Sequence, residues 1–138
     1  IAGGTGITPI YQLTRHILST PTDHTRITIL YASRSEPDIL LRTELDALQR
    51  QHPDRLRVYH TIEEVAPGWE GGNGRVTEEM VKEWMPKPGR EGGVLVAVCG
   101  PDGMIQHVAG DKARDLSQGS VGGLLKRIGY TEKEVWKY

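Results

Sequence analysis

Two glycine loops, each placed to hand the chain to a helix, constrain this 138-residue sequence more than any other feature. The first is Ile1-Ala2-Gly3-Gly4-Thr5-Gly6, followed by Thr8-Pro9. The second, Cys99-Gly100-Pro101-Asp102-Gly103, follows a continuous apolar run at residues 94–98 (VLVAV). Proline costs nothing at a first helical position, because its missing N–H would be unpaired there, and a threonine hydroxyl just before it can cap an orphan N–H. The spacing therefore predicts a helix starting at Thr8-Pro9, with Ile10, Leu13 and Ile17 on its buried face. Free N–H groups and the helix dipole at such a start favour a phosphate. Glycine is in excess, 17 of 138 residues against the ~7% of average proteins, and the excess falls at turns instead of in a repeat.

Between the loops, short strand-like and helix-like stretches alternate, which predicts an α/β domain in place of a bundle or a sandwich. Residues 27–32 (ITILYA) read as a strand and residues 33–37 as a turn. Leu41, Leu45 and Leu48 recur at helical spacing, and residues 56–60 alternate as a strand does. After the glycine-dense residues 68–74, Thr77 caps a helix with Met80, Val81 and Trp84 inward, and Pro86 and Pro88 end it. The 94–98 run reads as a central strand of a parallel sheet covered on both faces. Met104, Ile105 and Val108 share one side of the next helix. Around Gly119, Gly122, Gly123 and Gly129 the tail predicts a short helix and a last edge strand at Val135-Trp136.

The length suits one domain, residues 1–138. A glycine loop of this kind normally hangs from a buried strand. The sequence thus predicts that the first strand is largely missing because the chain is a fragment of a longer protein, the alternative being an ordinary flexible terminus. Lys plus Arg (17) nearly cancels Asp plus Glu (18), which leaves no electrostatic footprint for nucleic acid or an anionic membrane. The single cysteine, Cys99, excludes an intrachain disulfide, a four-thiolate iron–sulfur cluster and a Cys-rich zinc site. No apolar run approaches the ~20 residues of a membrane span, so direct membrane insertion by this chain is not expected. The five histidines, His16, His24, His52, His60 and His107, have no metal-ligand spacing, and no metal site is expected.

Neither familiar phosphate motif fits the first loop. A Walker A loop needs a Gly-Lys pair, and the chain has none. The G-x-G-x-x-G fingerprint matches at Gly4 and Gly6 but meets Pro9 at its third glycine. The loop is a different pyrophosphate loop or a plain turn. Cys99 likewise has two readings, a residue facing a ligand crevice at the strand ends or a small buried thiol.

The motifs Gly3-Gly4-Thr5-Gly6-Ile7-Thr8-Pro9, Asp38-Ile39-Leu40-Leu41-Arg42 with Glu44-Leu45, Gly74-Arg75-Val76 with Glu78-Glu79-Met80, and Cys99-Gly100-Pro101 with Met104-Ile105 occur in an order that resembles the pyridine-nucleotide domain of the ferredoxin reductase superfamily, in its cytochrome b5 reductase branch. They cover residues 1 to 108. The resemblance implies a doubly wound parallel sheet flanked by helices, and an oxidoreductase in which NADH passes electrons through FAD to a one-electron acceptor such as cytochrome b5 or another haem protein. It implies that Gly4, Thr5, Gly6, Thr8 and Pro9 support the cofactor phosphates and approach the flavin. Cys99 takes the catalytic position beside the nicotinamide, with Gly100 and Pro101 holding the ring and Met104 behind them. Ser33, Arg34 and Asp38 surround the adenosine ribose, and Tyr138 ends near the flavin.

Asp38, matched by an aspartate in the family's NADH-using branch, favours NADH over NADPH, whereas Arg34 would attract a 2′-phosphate or serve as a loop charge or a partner for Glu36. The flavin domain that the family carries N-terminally has no counterpart in these residues, so the isolated chain is expected to be inactive and its first partner to be that domain. The tail, with Val-Ala-Gly after the helix and a late Gly-Gly-Leu-Leu, is similar to fungal mitochondrial members, including the flavoprotein linked to cytochrome c import. It points to a mitochondrial, membrane-associated parent protein, with endoplasmic reticulum or cytosol as the alternatives. A second functional reading is a weakly catalytic assembly module in cytochrome c maturation. A flavodoxin-like or receiver domain is disfavoured, since no acidic cluster marks the strand ends.

Overall fold

The computed structural model describes residues 1–90 and 93–138. Its elements alternate as the sequence predicts: β1 (Ala2–Gly3), α1 (Ile7–Ser19), β2 (Ile27–Ser35), α2 (Arg42–Gln51), β3 (Leu56–Glu64), β4 (Gly72–Asn73), α3 (Glu78–Trp84), β5 (Val96–Val98), α4 (Asp102–Ala109), α5 (Gly123–Ile128) and β6 (Val135–Lys137). β1 pairs in parallel with β2, β2 with β3, β3 with β4, and β5 with β6. A parallel bridge from Ala2 to Cys99 joins the two ladders. The strand order across the molecule is therefore β4-β3-β2-β1-β5-β6.

Successive side chains on β1 and β2 enter opposite cores, as strand geometry requires. Ile1 and Leu30 join Val81 of α3, Ile105 and Val108 of α4, and Leu124 and Leu125 of α5. Ala2, Ile29 and Tyr31 join Ile7 and Ile10 of α1 and Leu45 of α2. Helices thus cover both faces, and the sheet is doubly wound. Because β2 lies on one side of β1 and β5 on the other, the winding reverses at β1. In open α/β sheets that reversal marks the crevice where ligands bind.

Several boundaries differ from the sequence reading. α1 starts at Ile7, one residue before Thr8, and its N-cap is Gly6. The Thr8 hydroxyl caps nothing; it donates to the Thr5 carbonyl at 2.9 Å. Ile7, Ile10, Thr14 and Leu18 form the buried face of α1, while Leu13 and Ile17 are only half-buried. β2 runs on through Ser33 to Ser35, because β3 offers partners as far as Glu64, and the turn follows at Glu36–Asp38. β5 begins at Val96, two residues later than the apolar run, and Leu95 is 65% exposed. The ladder with β6 begins at Val96, which pairs with Val135. Leu95 borders a cavity of about 770 Å³ together with Leu13, Ile17 and Ile27. Thr77 caps α3 as expected, its hydroxyl accepting from the Met80 N–H at 3.2 Å.

The tail glycines are explained by helix packing. Built as alanines, Gly110 and Gly122 would each bring a Cβ to within 2.8–2.9 Å of the other's backbone, and Gly123, at φ +56°, would put one on the His107 carbonyl. Glycine there lets α5 dock on the end of α4.

The Ile1 nitrogen continues the contact between β1 and β5, lying 2.6 Å from the Ala97 carbonyl.

Candidate functional site

The two glycine loops meet at the carboxyl ends of β1 and β5, backbone against backbone. The Gly3 N–H donates to the Cys99 carbonyl at 2.9 Å, and the Cys99 N–H donates to the Ile1 carbonyl at 3.0 Å. A Cβ on Gly6 would overlap the Cys99 carbonyl and lie 2.7 Å from the Gly100 nitrogen. A Cβ on Gly3 would run into the Met104 sulfur, and one on Gly100 would come within 2.9 Å of the same atom. Met104 thus packs beneath both loops at the start of α4. Gly4, at φ +51°, and Gly103 have nothing within 4 Å of a would-be Cβ, so they face open space. The two loops thus touch through backbone, with open space beside Gly4 and Gly103.

A buried tyrosine fixes the first loop from below. The Tyr31 hydroxyl donates to the Gly4 carbonyl at 3.0 Å and accepts the Leu40 N–H at 3.2 Å. Burial of that hydroxyl raises its pKa, which keeps it a donor. Tyr31 was absent from the sequence-derived site. Its signal was a polar-tipped aromatic inside an otherwise apolar strand, a residue that must find a partner when buried.

Cys99 sits half-buried on the crevice wall as a free thiol. Burial raises its pKa, more than the charges of Lys112 and the N-terminus lower it. It is therefore a neutral thiol at pH 7, a packing and weak hydrogen-bonding surface instead of a nucleophile. Tyr138 lies beside it, since β5 and β6 pair Val98 with Lys137 and the Tyr138 N–H donates to the Val98 carbonyl at 2.9 Å. Thr5 is exposed in the turn at Gly4–Gly6 and Thr8 in the first turn of α1, where Pro9 is half-buried.

Ser33, Arg34 and Asp38 follow from β2, the next strand along. Ser33 is buried, and its hydroxyl has no partner among the described residues. The Ser35 hydroxyl donates to the Asp38 carboxylate, which fixes that side chain. Arg34 pairs with Glu64 across the ladder at 2.6 Å, while Glu36 is taken by Arg42 at 2.6 Å. The Arg34–Glu36 pair, one of the roles the sequence left open for Arg34, does not form, because Glu64 is the cross-strand neighbour of Ser35. His107 Nε2 lies 2.9 Å from the Val76 carbonyl, a structural contact.

Residues 1–110 match the family model for the oxidoreductase NAD-binding domain. The chain belongs to that family. Over all 138 residues it is 41% identical to NADH-cytochrome b5 reductase 2 of Aspergillus terreus, covering 43% of that protein. It is 45% identical over the same span to an NADH-cytochrome b5 reductase-like protein of Arabidopsis thaliana, covering 41% of it. The chain therefore spans less than half the length of these relatives. The cytochrome b5 reductase domain of Ulva prolifera nitrate reductase superposes with a TM-score of 0.83 at 34% identity, over 99% of this chain and 46% of that one. The fold is that of the ferredoxin reductase-like nucleotide domain.

Backbone-on-backbone packing leaves no flexible atom to move aside at Gly6. Gly6→Ala should lower stability by about 3 kcal/mol or more, whereas Gly103→Ala, with free space and a helical backbone, should stay within about 1 kcal/mol of the parent or exceed it. Urea denaturation of the two variants tests this; equal midpoints would show that the loops do not limit each other.

Proposed function

We propose that this chain is the NADH-binding part of an FAD-dependent reductase that passes electrons from NADH through flavin to a one-electron acceptor of the cytochrome b5 type. The observation that carries the proposal is the pair of interlocked glycine loops at the point where the sheet reverses, with a neutral thiol on one wall. Relatives named NADH-cytochrome b5 reductase support it.

The residues present fit a dinucleotide. Gly4 and Gly103 have open space beside them, and the start of the 13-residue α1 presents a favourable dipole to a pyrophosphate. Cys99, Gly100 and Pro101 would carry the nicotinamide, and Ser33 supplies an unpartnered hydroxyl on the ribose side. When bound, NADH supplies a hydride and FAD takes up its two electrons for release one at a time. The chain's residues need only place the nicotinamide and exclude water, and no general base is required of them.

The ribose end favours NADH. Asp38 is held in place by Ser35 and is free to accept from a 2′-hydroxyl, and Arg34, the one cation proposed for a 2′-phosphate, already pairs with Glu64. A phosphate there would meet the Asp38 carboxylate, which costs affinity through like-charge repulsion.

Calorimetric titration should show NADH binding in the micromolar range and NADPH at least about tenfold weaker. Asp38→Ala should shrink that ratio to near unity. Failure of the parent chain to bind NADH better than millimolar would overturn the functional proposal, and an unchanged ratio in Asp38→Ala would remove Asp38 as the selector.

A further inference from the structure

Lys137 is a buried ammonium that the hydride-transfer reading leaves without a task. It lies on β6, the edge strand, and is 1% exposed. Strand alternation points it, with Val135, into the core against α4 and α5, while Trp136 and Tyr138 face out at 49% and 41% exposure. No carboxylate among the described residues forms a salt bridge with it. Its Nζ donates to the Asp111 carbonyl at 2.8 Å and the Ser120 carbonyl at 2.9 Å, at the two ends of a single loop.

The same loop grips the strand a second time. The Gln118 side chain accepts the Lys137 N–H at 2.6 Å and donates to the Lys137 carbonyl at 2.9 Å. One amide thus satisfies both outward backbone groups of an edge strand, as a further strand would. The loop also closes on itself, the Ala113 N–H donating to the Ser117 carbonyl at 3.1 Å and the Leu116 N–H to the Ala113 carbonyl at 2.9 Å.

A buried lysine is a poor route to stability. Burial lowers its pKa against the attraction of Asp111 and Glu132, and an apolar residue beside Val135 would fill the core without desolvating a charge. What the ammonium provides is geometry. The residue after it, Tyr138, is level with Cys99, and the rung that holds it is the Tyr138 N–H to the Val98 carbonyl.

We infer that Lys137 is a positioning residue: its ammonium, together with Gln118, clamps the loop at residues 111–120 to the end of β6 and so holds Tyr138 over Cys99. The consequence for NADH rests on the function proposed above, but the clamp itself does not.

Cys99 is the only cysteine, so its alkylation by iodoacetamide at fixed pH reads the cover directly. In Lys137→Met the rate should rise about tenfold, hydrogen exchange at the Tyr138 amide should accelerate alongside it, and thermal unfolding should stay cooperative. In a Tyr138→Ala background the Lys137 change should add nothing to the alkylation rate, because the two residues act through one contact. A general loss of structure would instead add in full. Gln118→Ala, which leaves the ammonium in place, should raise the rate in the same direction by a smaller factor, and serves if Lys137→Met does not fold. Wild-type alkylation and exchange in both variants, or a full Lys137 effect without Tyr138, would overturn the inference. NADH affinity should fall several-fold in Lys137→Met; a parent chain that binds no NADH overturns the functional proposal alone, with the thiol and exchange data still deciding the clamp.

Discussion

Everything at the crevice depends on one close approach, that of residues 3–6 onto Cys99 and Gly100. Two strand ends nearly a hundred residues apart in sequence are held by backbone hydrogen bonds through Ile1, Gly3 and Cys99. Side chains at Gly3, Gly6 or Gly100 would force them apart. The approach requires β1 and β5 to be neighbours, hence the reversal of winding at β1, hence helices on both faces. The crevice is thus a consequence of topology, and the glycines are what topology demands at its narrowest point.

The supports of that contact come from three directions. Tyr31 holds the first loop from β2, Met104 fills the space beneath both loops from α4, and β6 fastens the second loop's strand from the far edge. The tail matters to the site for this reason. Gly110, Gly122 and Gly123 let α5 settle on α4, which sets the path of the chain back to β6 and delivers Tyr138 to Cys99. Those glycines are structural members of the same assembly as the glycines in the crevice, though they touch no part of it.

The parts legible in the sequence were those with local causes. Alternation, apolar runs and turn residues gave the element order, Thr77 announced its cap, and Gly-Thr-Gly and Cys-Gly-Pro marked the two walls. What escaped had non-local causes. The end of β2 was set by pairing with β3 as far as Glu64, and the start of β5 by its pairing with β6, which begins at Val135. Arg34 found Glu64 across a ladder whose register the sequence does not display. Tyr31, Gln118 and Lys137 act on backbone groups, and a backbone carbonyl leaves no trace in composition or motif. The start of α1 was missed by one residue because Gly6 caps through its backbone, whereas Thr8 looked like the better side-chain cap.

The chemistry proposed for the two loops asks no group there to ionise. Burial keeps the Cys99 thiol neutral and the Tyr31 hydroxyl protonated, so it goes on donating to the Gly4 carbonyl. The contacts that shape both walls are backbone hydrogen bonds through Ile1, Gly3 and Cys99, which do not titrate. A pH dependence of binding would therefore enter through the stability of the join between β1 and β5, and loss of binding and loss of the fold should follow one curve, where a catalytic acid or base would have separated them.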